Sequence, residues 1–162
     1  MITQAQVIDC FEYRDGNLYW KRVAHPNKQY LASKPAGSIH KTGYRHVTWM
    51  GKIHKAHRLI FLMHHGYLPE IIDHINGNKL DNRIENLREA TVQQNNMNAK
   101  TKVTNKSGVK GVSWHPLGKK WMVRIMINGK DKYFGMYEDL EFAALVAQEA
   151  RNKYHGAFAR HA

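Results

Sequence analysis

The chain has 162 residues, 25 of them Lys or Arg against 13 Asp or Glu, for a formal charge of +12. That length holds one ordinary domain or two small modules and excludes two full-sized cores, while so large an excess of one sign points to a polyanionic partner, nucleic acid before any other. A lone cysteine, Cys10, excludes an internal disulfide framework and a Cys-pair zinc site, and no apolar run reaches the ~20 residues that a bilayer requires, so a cytoplasmic protein without a membrane partner is expected.

The first fifty residues read as short β-type runs broken by turn residues, with hairpins at Asp15-Gly16 in FEYRDGNLYWK and Met50-Gly51 in GYRHVTWMGKIH. From His54 the period changes. Ala56, Leu59, Ile60 and Met63 recur at helical spacing, Gly66 is placed to cap and Pro69 to stop, which predicts a helix over about 54–65. EIIDHI at 70–75 predicts a short strand entering the polar loop NGNKLDNRIEN, and Thr91 with Gln94 forms a capping box that starts a helix at Val92. Residues 98–107, NAKTKVTNKS, lack any period and read as a solvated basic linker, placing the domains at 1–97 and 108–162. Beyond it come three β-type runs, VKGVSW, KWMVRIMI and DKYFGMY, with Asn128-Gly129 as the strongest hairpin signal in the chain. Asp139 then caps a helix in which Leu140, Ala143, Ala147, Ala150 and Tyr154 share a face. The expected fold class is α+β, with N-terminal hairpins, a strand, loop and helix unit, and a small three-stranded antiparallel sheet packed on one helix.

Hydrolysing a phosphodiester needs a base to deprotonate water, a cation to neutralise charge on phosphorus and the leaving oxygen, and groups that hold both in line. The segment around Asp73 offers all three. His74 titrates near neutrality and can act as base, Asp73 supplies a hard oxygen ligand of the kind Mg²⁺ prefers, and Asn95 supplies a second, leaving the other coordination positions to water and phosphate. Neighbouring strand residues point to opposite faces, so Asp73 and His74 can share a site only if the strand ends there, which the Asn76-Gly77 turn permits. Asn76, Asp81 and Asn82 read as ordinary Asx-turn residues. His54, His57 and His65 lie near helical spacing, but without thiolates or a second ligand-bearing segment they do not make a zinc site; His57 is expected to support the active site or touch phosphate.

HRLIFLMHHG at 57–66, IIDHINGNKLDNRIENLREAT at 71–91 and QQNNMN at 93–98 together resemble the HNH endonucleases, in particular the phage and intron homing type with its Asp-His, Asn, Asn signature. The resemblance implies a ββα-metal core in which Asp73 and Asn95 bind one divalent ion, Mg²⁺ or Mn²⁺, His74 is the general base, and Asn86 fixes the loop and orients the histidine. It also implies a phage-encoded enzyme acting on double-stranded DNA in the host cell. Asn95 stands where many relatives have a second histidine, a weaker ligand that lowers the expected metal affinity.

GVKGVSW, GKKW at 118–121, Phe134-Gly135 and the EFAALVAQEA helix resemble the DNA-binding domain of plant ethylene-response factors. That family lays its sheet, rather than its helix, in the major groove. The resemblance implies that Lys110, Ser113, Trp121, Arg124 and Met126 face DNA, with Lys119, Lys130 and Lys132 on phosphates. Strand alternation puts Met122, Arg124 and Met126 on one face and Trp121, Val123, Ile125 and Ile127 on the other, so Trp121 falls on the apolar side unless a bulge turns it. The leading expectation is a metal-dependent DNA endonuclease, monomer or weak dimer, without a protein partner; the alternatives are a catalytically idle DNA-binding regulator on the same scaffold and an RNA-binding protein.

Overall fold

A computed structural model describes residues 2–21, 32–101 and 103–161, and the chain divides into two units, Met1–Ala90 and Thr91–Ala162. The first unit opens with a helix, α1 (Gln4–Cys10), where sequence periodicity suggests only strands. The signal is a capping box: Thr3 accepts from the Gln6 backbone while the Gln6 side chain accepts from the Thr3 backbone. Strands β1 (Phe11–Arg14) and β2 (Asn17–Trp20) form the expected hairpin. Strands β3 (Ser38–Ile39), β4 (Arg45–Trp49) and β5 (Lys52–Lys55) form an antiparallel sheet that turns at Met50-Gly51.

Helix α2 (Ala56–His65) begins two residues later than its periodicity suggests, because His54 and Lys55 are still paired with Val47 and His46 across the sheet. Its inner face, Ala56, Leu59, Ile60 and Leu62, packs with Val7, Phe11, Leu18, Val47 and Trp49 into one core. Gly66 caps it, donating to the Leu62 carbonyl at 2.9 Å. The chain then runs through β6 (Ile71–His74), a polar loop closed by a 3-10 turn (Ile84–Asn86), and back antiparallel as β7 (Leu87–Ala90). Ile72 and Leu87 anchor this strand pair to the core of the first unit.

In the second unit, α3 (Val92–Met97) starts at the Thr91 and Gln94 capping box. Strands β8 (Val112–His115), β9 (Lys120–Ile127) and β10 (Lys130–Tyr137) form the expected antiparallel sheet in the order β10, β9, β8. The β9 to β10 turn has Asn128 at φ 50° and Gly129 at φ 76°, the left-handed pair that matches the twist of a tight hairpin and that asparagine and glycine tolerate best. Helix α4 (Leu140–His155), capped by Asp139, packs Ala143, Ala147 and Ala150 on Val112, Val123 and Ile125. Small alanines let the helix lie close on the sheet.

The division between the units falls after Ala90, earlier than the expected linker at 98–107, and α3 groups with the sheet. The physical reason is Lys110, whose ammonium donates to the carbonyls of Met97 and Ala99, both at 2.6 Å. The expected linker is also less solvated than its composition suggests. Asn98 is buried, and Ser107 Oγ donates within a turn built on Asn105, Val109 and Val112.

Candidate active site

Strand β6 ends at His74, where Gly77 N donates to the His74 carbonyl at 2.8 Å to close the turn. Both residues are still paired in the ladder, Asp73 with Arg88 and His74 with Leu87. Asp73 and His74 are both buried, at 5% and 4% exposure.

His74 Nε2 lies 3.0 Å from Asn82 Oδ1, and Asn82 is only 1% exposed. A carboxamide oxygen only accepts, so Nε2 carries the hydrogen and Nδ1 is the proton-accepting nitrogen of this tautomer. This contact corrects the reading of Asn82 as a plain turn residue. Its placement depends on the first hairpin: a Cβ on Gly16 would come within 2.8 Å of Arg83 N, so only glycine lets the hairpin tip press on the loop that carries Asn82. Tyr13 adds a second clasp, its hydroxyl accepting from Ile84 N at 3.2 Å.

Asn86 commits its carboxamide to the loop. It accepts from Asn76 N at 3.0 Å and donates to Asp81 O at 2.7 Å and to Asn76 Oδ1 at 3.1 Å. These bonds tie Asn86 to the loop, and Asn82 brings a carboxamide to the imidazole. Asn76 and Asp81 make expected Asx turns, accepting from Asn78 N at 2.8 Å and Arg83 N at 3.5 Å, and Asn78 adds one beyond those expected, accepting from Leu80 N at 3.1 Å. The Arg83 guanidinium holds the Asp81 carboxyl well below the usual carboxylate range.

Two aromatic neighbours enclose the imidazole. The His57 ring is 5.0 Å from that of His74 in an edge-on arrangement, and the Tyr44 ring is 5.1 Å from His57 and 6.1 Å from His74. Burial pushes His57 down to about 3, with the charges of His74 and Lys55 adding to the effect. His57 is thus a neutral wall of the site. Burial also lowers His74, opposed by its hydrogen bond to Asn82 and by the Asp73 charge. Tyr44 is pushed up, first by burial and then by Asp73. A sequence cannot reveal Tyr44 as a neighbour of His74, since it reaches the imidazole from the turn before β4.

Asp73 Oδ2 accepts from Arg88 Nε at 2.9 Å and Nη2 at 2.8 Å, Arg88 being its direct partner across the strand pair. Both of these guanidinium contacts fall on Oδ2. Among the described residues no group of three or more His, Cys, Asp or Glu gathers in one place. The Asp73 carboxylate is a hard oxygen donor of the kind that divalent ions such as Mg²⁺ and Mn²⁺ accept. Asn95 lies exposed on α3 in the second unit.

In the second unit Ser113, Arg124 and Met126 are exposed on the sheet face away from α4, in register with Met122, Tyr133 and Asp131 respectively. Lys119 and Lys130 are exposed at the ends of β9 and β10. Three expected DNA contacts are placed otherwise. Trp121 is half-buried on the helix side, edge-on to Trp114 at 5.0 Å, because no bulge intervenes in β9 to turn it. Lys132 pairs with Ile125 on that same side and donates to the Tyr154 hydroxyl at 3.2 Å. Lys110 is tied to α3 and half-buried, and burial pushes its ammonium down to about 8, aided by Arg151 and Arg160.

Residues 54–97 match the HNH endonuclease family. The chain is 35% identical over 111 residues to "Protein 3.8" of Escherichia phage T7, an alignment covering 67% of this chain and 91% of that protein. It is 41% identical over 86 residues to "Uncharacterized HNH endonuclease L560" of Acanthamoeba polyphaga mimivirus, covering 51% of this chain and 45% of that relative. No solved structure matches the chain.

Proposed function

Because the chain belongs to the family of phage T7 Protein 3.8 and carries an HNH endonuclease domain over residues 54–97, we propose that it is a metal-dependent endonuclease cutting duplex DNA inside the host cell, with a target preference of the homing type. The observation that carries this reading is the His74 imidazole, buried against His57, kept neutral by that burial and held in one tautomer by Asn82.

In this reading His74 Nδ1 takes a proton from water as the water oxygen bonds to phosphorus and the bond to the leaving oxygen breaks. The leaving oxygen then collects a proton from solvent. Asn82 keeps Nε2 protonated, so the developing imidazolium has its second N–H already hydrogen-bonded, and the Asp73 charge favours that cation. Arg88 fixes the Asp73 carboxylate from the adjoining strand. A divalent ion held by Asp73, with Asn95 as second ligand on the strength of the motif, would neutralise charge on the phosphate and the leaving oxygen. Asn86 keeps the loop in shape around His74.

We assign the second unit to target selection. Its open sheet face presents Arg124 as the side chain able to grip a guanine with two hydrogen bonds, flanked by Ser113 and Met126, with Lys119 and Lys130 beside it for phosphates. Supercoiled plasmid incubated with the protein in Mg²⁺ or Mn²⁺ is expected to become nicked or linear, and the product is expected to vanish with EDTA and in His74→Ala while DNA retention persists. Equal processing by wild type and His74→Ala refutes the base assignment; retention without cleavage in any metal supports the idle regulator instead.

A further inference from the structure

The Tyr44 ring carries two ammonium groups: Lys55 Nζ lies over it at 4.5 Å from the ring centre and Lys79 Nζ at 4.7 Å. The same ring touches His57 and stands beside His74. Three segments distant in sequence, the turn before β4, the end of β5 and the loop after β6, thus deliver two cations and one aromatic ring to the edge of the candidate active site.

No ion pair among the described residues accounts for this concentration of charge. Among the described residues, neither lysine is within ion-pair distance of a carboxylate. Sharing one ring keeps the two ammonium groups within two ring-to-ammonium distances of each other, where they repel. Cation–π attraction at an exposed site is weak and does not by itself justify immobilising two long side chains. Both are nevertheless anchored: Lys79 donates to the Thr42 carbonyl at 3.0 Å, and Lys55 is held at its root by the ladder pair with His46. Two cations fixed side by side with no counter-ion among the described residues, next to the proposed general base, form a prepared site for an anion.

We propose that Lys55 and Lys79 form a phosphate clamp that binds a backbone phosphate adjoining the scissile one, with Tyr44 as the positioning residue that holds both ammonium groups in place. This rests on the nuclease reading above and adds a substrate contact to it. Lysine suits the task as a compact point charge on a phosphate of any sequence, so the clamp fixes the register of the strand over His74 and carries no base preference.

The test is duplex retention by the full chain in EDTA, measured by fluorescence anisotropy between about 50 and 200 mM salt, so that binding is read apart from cleavage. The Lys55→Met, Lys79→Met double variant is expected to lower the slope of log affinity against log salt by about 0.9, the contribution of one phosphate, and each single change by less. A single neutral methylphosphonate at the contacted position should weaken wild type and leave the double variant indifferent. Tyr44→Phe should keep the wild-type slope, whereas Tyr44→Leu should lose what the two lysines contribute and make Lys79→Met silent. A merely structural role for the lysines would lower stability and leave both the slope and the methylphosphonate effect in place, and that result overturns the clamp alone. Wild type that retains DNA through the clamp yet cuts in no metal defeats the nuclease reading alone. Wild type that retains no duplex defeats both.

Discussion

The pH dependence of stability offers a sharp test of how the site is enclosed. His57 is buried with its pKa at about 3, against 6.5 for an ordinary histidine. Its folded-state value is depressed, so the unfolded chain binds the proton first. Stability from this group is complete above 6.5 and drains away as pH falls toward 3. At pH 5 the unfolded histidine is protonated and the folded one is not, which removes roughly 2 kcal/mol relative to neutral pH, or roughly 1 M in urea midpoint. His57→Gln keeps a neutral polar side chain at every pH and abolishes this contribution. The measurement is urea unfolding at pH 7.5 and pH 5, followed by NMR at the Leu59 and Ile60 methyl groups, which report the core of the first unit. His74 is also lowered by burial and destabilises both proteins in acid, so the difference between them isolates His57. Wild type should lose about 2 kcal/mol more than His57→Gln between the two pH values. Equal losses would mean that His57 takes up its proton in the folded state at ordinary pH, and the neutral wall beside His74 would not exist.

Two further substitutions probe the assigned roles. Asn82→Ala leaves the buried His74 Nε2–H without its acceptor and should cost about 1–3 kcal/mol of stability. The same change should cut the nicking rate by about 10- to 100-fold through loss of tautomer and position; nitrogen-15 shifts of the imidazole that stay at wild-type values would refute the tautomer argument. Arg124→Ala on the open sheet face should lower discrimination at one base pair by about 1–3 kcal/mol while Lys130→Ala weakens all duplexes alike, and binding arrays in which both variants act equally on cognate and random sequence would remove Arg124 as a base reader.

Much of the backbone is legible in the sequence because its signals are local. The Thr91 and Gln94 capping box, the Asp139 cap, the Asn128-Gly129 hairpin and the periodicity of 56–63 each involve residues a few positions apart, and each produces the element it predicts. Helix α1 was readable on the same grounds from Thr3 and Gln6, but it is outweighed by the β-type runs that follow. Asp73 and His74 stand out as a chemical pair for a similar reason, since their motif is contiguous.

What the sequence by itself determined, then, is the α+β class and most of the elements after the first helix, and it singled out Asp73, His74 and Asn86 as candidates, because short-range propensity and motif spacing carry that information. Tertiary structure alone decided which partner each side chain meets. Asn82 reaches His74 across a loop held by Gly16 and Tyr13, Tyr44 and His57 wall the imidazole from other elements, Arg88 claims Asp73 from the adjoining strand, and Lys110 turns inward to α3. Partner choice among chemically similar asparagines and lysines depends on which backbones are brought together, and that follows from burial of a shared core rather than from any run of neighbouring residues.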